Sequence, residues 1–108
     1  MKQIEIPFLE QFHEDIKNGQ KIMTTRSKRY GEAGDFFVLN KEKLTILAVF
    51  KMRLWHIAYH FHDAEGFGNP QGFIDCWNKL HPKRRYAENK QVHYWVHVFV
   101  PIFEEEKP

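Results

Sequence analysis

GQKIMTTRSKRYGEAGD, residues Gly19 to Asp35, packs a lysine, two threonines and an arginine into the six positions from Lys21 to Arg26. Two glycines and an acid follow. The stretch lies between a helical pattern that ends at Gly19 and the apolar run Phe36-Phe37-Val38-Leu39, which reads as a strand. A dense polar segment joining two regular elements is where binding and catalytic groups concentrate. Read as an extended segment, it puts Lys21, Met23 and Thr25 on one face and Ile22, Thr24 and Arg26 on the other. A bend is then needed to bring Lys21 to Thr24.

Upstream, Lys2 to Ile6 alternate and predict a short strand. Pro7 suits the first turn of a helix, and Phe8, Leu9, Phe12 and Ile16 recur at helical spacing through residue 18. Downstream, Asn40 to Lys43 form a polar turn. Residues 44 to 55 predict one long strand with Leu44, Ile46, Ala48, Phe50, Met52 and Leu54 on a single face. A short helix is expected from Ile57 to His62. Asn69 caps a second helix with Pro70 at its first position, Phe73, Trp77 and Leu80 along its core stripe, and Pro82 ending it. Residues 83 to 90 read as a charged loop and residues 91 to 103 as the last strand. Strands interrupted by helical connections predict an α+β fold, a small mixed β-barrel formed by one domain over residues 1 to 108.

Composition narrows the classes. Hydrophobic residues make up 43% of the 108, enough for a globular core. The single cysteine, Cys76, excludes an internal disulfide and fits a reducing cytoplasm; it reads as a small buried apolar residue. No apolar run reaches the roughly 18 residues of a membrane helix, so no membrane partner is expected. Net charge is only +2, but Lys21, Arg26, Lys28 and Arg29 cluster, as do Lys83, Arg84 and Arg85, while Glu104 to Glu106 make the tail acidic. Tyr30 and Tyr86 sit within the basic clusters, and together these groups are candidates for RNA contact. Trp77 and Trp95 read as core.

Three pieces resemble the ASCH domain, a branch of the PUA-like β-barrel superfamily. They are IKNGQKIMTTR from Ile16 to Arg26, Gly34-Asp35 leading into a strand, and Glu65-Gly66-Phe67 before the helix with Phe73 and Trp77. The resemblance implies a cleft beside the Lys–Thr segment and an association with nucleosides or RNA. Some bacterial members are amidohydrolases that remove acetyl from N(4)-acetylcytidine, using a lysine, a threonine three residues later and a downstream glutamate. By motif these are Lys21, Thr24 and Glu65. From the basic clusters and their tyrosines, Arg26, Lys28, Arg29, Tyr30, Arg84, Arg85 and Tyr86 are the candidate substrate or RNA contacts. The Glu-Gly-Phe form and the Trp77 helix are similar to other ASCH branches, which keeps a second class open: a non-catalytic RNA-binding or regulatory module.

Amide hydrolysis needs a nucleophile, a base and a proton donor for the leaving amine. A threonine hydroxyl attacks only when a neighbour takes its proton. Bland readings stand beside these: surface charge for Lys21 and Arg26, an ion pair with Glu65, and a β-forming residue for Thr24. His56, His60 and His62 have spacing that suits zinc, but no cysteine pair or HExxH accompanies them, so no metal or other cofactor is expected. No obligate protein partner is indicated.

Overall fold

The computed structural model describes residues 1–102; the acidic tail and the last residue of the expected final strand, Phe103, lie outside the described residues. Four strands form one antiparallel sheet: β1 (Met23–Arg26), β2 (Phe36–Leu39), β3 (Glu42–Arg53) and β4 (His93–Pro101), in the order β1-β4-β3-β2. The sheet curls into a half-barrel, with β1 and β2 at its edges. The helices are α1 (His13–Lys17), α2 (Leu54–His60), α3 (Pro70–Leu80) and α4 (Tyr86–Asn89). Among the described residues no helix is long and apolar enough to cross a membrane.

β4 is buried on both faces, and this divides the core. On one side Tyr94 and Val96 pack with Leu54, Ile57 and Ala58 of α2 and Phe73 and Trp77 of α3. On the other side Phe99 packs with Phe37, Leu44, Ile46, Phe12 and Ile16. Burying side chains of this size stabilises the fold by about 1.5–3 kcal/mol each.

The long strand departs from strict alternation. Ile46 pairs with Phe99, but the next register position pairs Ala48 with Val98, so Leu47 is an extra residue. Leu47 is left 55% exposed. Cross-strand partners share a face, so the bulge moves Ala48 to the helix-facing side with Val98 and moves Val49 to the side of Phe99. Phe50, expected on one face with Leu44 and Ile46, lies on the opposite side of the strand and is exposed. Leu54 is fully buried, but as the first residue of α2.

Other departures are local. Residues 2 to 6 make one parallel bridge, Gln3 to Phe36, instead of a strand. Leu9 is extended (φ −64, ψ 144), so the first helix starts late, as a 3-10 turn at Glu10–Phe12 running into α1. By contrast α2, expected from Ile57 to His62, begins earlier, at Leu54, and ends at His60. The charged loop contains the short α4. The expected α3 is present: the Asn69 side chain accepts from the Gly72 N–H at 2.8 Å and Pro70 opens the helix.

Candidate active site at the edge of β1

Two loops meet beside β1. The chain turns out of α1 at Gly19 (φ +81) and enters β1 through Lys21 and Ile22. The loop between α2 and α3 comes alongside, and the Ala64 carbonyl accepts from both the Ile22 and Met23 N–H groups, at 2.9 and 3.1 Å. That double contact sets Glu65 beside Lys21. Gly66 completes the turn with φ +98; a Cβ there would stand 3.3 Å from the Lys21 Cβ. Only glycine combines that backbone angle with so close an approach.

Lys21 and Glu65 are buried together, each 3% exposed. The Lys21 ammonium donates to the Glu65 carboxylate Oε1 (3.3 Å), the Glu65 backbone carbonyl (2.7 Å) and the Met23 carbonyl (3.0 Å). Its three donors are thereby used, and its Nζ also lies 4.8 Å from the centre of the Phe12 ring. The second carboxylate oxygen, Oε2, accepts from the Thr25 hydroxyl at 2.7 Å. The Thr24 hydroxyl belongs to a different contact, accepting from the Arg26 Nε at 3.1 Å. Arg26 also donates to the Pro7 carbonyl, and its guanidinium lies 5.0 Å from the Phe8 ring centre. Burial pushes the Arg26 guanidinium below its ordinary value, while Tyr30 and Glu65 oppose the shift.

These groups open onto a cavity of about 370 Å³, within the size range of small-molecule sites. Lys21, Thr24, Thr25, Arg26 and Glu65 supply its polar part; Phe8, Phe12, Phe67, Phe73 and Trp77 supply aromatic walls. His81, at the C-terminal end of α3, lines the cavity too, its ring 4.0 Å from that of Trp77. Burial lowers the His81 pKa, and the charges of Arg84 and Arg26 add to the shift. Cys76 also lines the cavity, and burial pushes its thiol up.

The structure thus brings Lys21, Thr24, Arg26 and Glu65 to one concave surface. It does not bring the other expected contacts there. Lys28, Arg29, Tyr30, Arg84, Arg85 and Tyr86 lie outside the cavity lining. The Tyr30 N–H donates to Nε2 of the fully buried His97, and Tyr86 is packed against the helix-side core. Trp95 is half-buried, with Arg29 at 5.3 Å and Lys51 at 4.9 Å from its ring centre. The His56 and His60 rings stand 5.9 Å apart beside Trp55, and among the described residues no three metal-ligating side chains are grouped.

Two site residues escaped the sequence reading. Thr25 was signalled by strand alternation, which placed it on the same face as Lys21. His81 was signalled by its four-residue spacing from Trp77, which puts both on one side of a helix.

No protein-family model matches the sequence, and no curated protein matches it. Solved structures do. A crystal structure of a hypothetical protein superposes with a TM-score of 0.70 at 16% identity, covering 94% of this chain and all 100% of that one. The crystal structure of an ASCH domain from Lactobacillus crispatus JV V101 gives 0.66 at 13% identity, over 95% of this chain and 80% of the other. A Pyrococcus furiosus protein solved by NMR gives 0.59 at 13% identity, over 95% and 96%. At such identities the likeness is one of fold. The half-barrel and the helices packed against it have, on that likeness, the fold of an ASCH domain.

Proposed function

We propose that this chain is an amidohydrolase that removes an acyl group from a modified pyrimidine nucleoside such as N(4)-acetylcytidine. The observation that carries the reading is the buried Lys21–Glu65 pair opening into an aromatic-walled cavity. Aromatic walls suit a flat base, whose faces stack on such rings. Glu65 is the proton carrier, taking a proton as the nucleophile attacks and giving it to the exocyclic amine as that group leaves. Lys21, with every donor engaged, fixes Glu65 and supplies positive charge. Thr24 and Arg26, tied to each other, bind and orient the substrate.

The test is incubation with a panel of acylated nucleosides, read by mass spectrometry. Cytidine and acetate released from N(4)-acetylcytidine, and lost on Glu65→Gln, support the reading. A panel left intact by folded protein overturns it.

A second reading rests on the surface outside the cavity. Arg29 and Lys51 lie against Trp95, and Lys28 lies 4.8 Å from the Tyr30 ring centre. Cations beside aromatic rings fit an RNA-binding module. RNA affinity that falls steeply with salt, unchanged by Glu65→Gln, would favour it.

A further inference from the structure

We propose that Thr25 is the attacking nucleophile of this site, an assignment that rests on the hydrolase reading above. Thr24 and Thr25 are adjacent and both line the cavity, yet their hydroxyls have different partners. Nucleophilic threonine needs a base within hydrogen-bond reach. Thr25 has one: its Oγ1 is 2.7 Å from Glu65 Oε2. Thr24 instead accepts from Arg26, a donor that offers no way to take its proton.

The backbone supports the same residue. The Ile22 carbonyl accepts from the Phe99 N–H, and in that antiparallel register Thr24, opposite His97, is the residue whose backbone groups turn toward β4. Met23 and Thr25 therefore direct their backbone groups to the free edge of β1. Met23 shows it, since its N–H donates to Ala64 and its carbonyl accepts from Lys21. The Thr25 N–H faces that same edge, as a donor for the negative oxygen that develops on the acyl carbonyl.

In the first step the Thr25 Oγ–H proton passes to Glu65 Oε2 and Oγ bonds to the acyl carbon. The C–N bond then breaks, and Glu65 returns the proton to the departing exocyclic amine. The product is an acyl ester on Thr25. In the second step water attacks that ester, one water proton goes to Glu65 and then to the Thr25 oxygen, and the carboxylic acid leaves. No further reactant is consumed.

Two measurements on nucleosides cleaved by the wild type decide the matter. With hydroxylamine present, an acyl ester partitions between water and hydroxylamine after the nucleoside has gone. One acid-to-hydroxamate ratio is expected for N-acetyl amides of different leaving nucleosides, and a ratio that varies with the nucleoside overturns the proposal. Thr25→Val is expected to lower turnover by roughly 10²–10⁴-fold, with Thr25→Ser restoring most of it. Thr24→Val is expected to act mainly on KM. Turnover retained by Thr25→Val, or an acyl adduct mapped to Thr24, overturns the assignment and leaves the hydrolase reading standing. A wild type that cleaves no acylated nucleoside removes both.

Discussion

Lys21 and Glu65, 44 positions apart in the chain, form a buried ion pair at 3.3 Å, with side-chain exposures of 3% and 5%. Removing one member leaves the other charged group stranded in the interior. Lys21→Met is therefore expected to cost about 3–5 kcal/mol, a large share of the roughly 5–15 kcal/mol that holds a typical domain together. The double variant Lys21→Met/Glu65→Gln should be more stable than Lys21→Met alone. Urea unfolding of both decides it, and a less stable double variant would refute the pairing energetics.

Gly66→Ala should destabilise by about 1–3 kcal/mol, because φ +98 strains any side-chain-bearing residue. The added methyl also presses on the Lys21 stem, so turnover should fall along with stability. Thermal unfolding and activity measured together test this; an alanine variant as stable as wild type would contradict it.

His97 is buried with Nε2 accepting from Tyr30 and Nδ1 without a hydrogen-bond partner. Burial lowers its pKa below the ordinary 6.5; the Thr24 backbone opposes the shift, and the nearby Arg26 and Arg29 add to it. The unfolded chain thus binds this proton more readily than the folded protein. Stability should be level above about pH 6.5 and fall as pH drops below it, toward the folded pKa. His81 has the same sign, so His97→Gln, which keeps an acceptor for Tyr30, should flatten the slope only in part. Asp35 acts lower: N–H groups of Glu32 and Lys2 hold its carboxyl below 3.8, and its contribution is lost only as pH falls beneath that value. Denaturant midpoints from pH 8 to pH 3 separate the two windows.

Arg26→Ala should raise KM more than it lowers kcat, since Arg26 holds Thr24 and the Phe8 wall and has no contact with Glu65 among its hydrogen bonds. Steady-state kinetics on a cleaved nucleoside checks this. A kcat loss equal to that of Glu65→Gln would place Arg26 in the chemistry.

Local signals carried well from sequence to structure. Asn69-Pro70 announced α3 because capping and proline geometry act within one turn. The polar turn expected at Asn40 to Lys43 is present but tighter, a two-residue hairpin at Asn40-Lys41, both with positive φ, because Glu42 and Lys43 pair with β2. Features set by distant partners did not carry. The bulge at Leu47 depends on how β3 meets β4, and α4 is held by packing and by the Asn78 side chain, which accepts from the Tyr86 N–H. At the site, Glu65 reached Lys21 through a family resemblance, since nothing in the spacing of the two residues predicts their meeting. Thr25 was passed over because the motif emphasised its neighbour, although strand alternation set the two on opposite faces.

The bulge in β3 also governs how that strand tolerates change. Before Leu47 the even-numbered residues Leu44 and Ile46 point into the Phe99 side; after it the odd-numbered Val49 does. One continuous strand therefore carries two opposite phases of its hydrophobic code. Forcing Leu47 into the ladder would swing Lys51 and Arg53 from the Trp95 face toward the helices, burying charge where Met52 now packs, whereas deleting Leu47 would leave every residue on its present face. Leu47, a member of neither core cluster, is thus the residue that absorbs the change of phase.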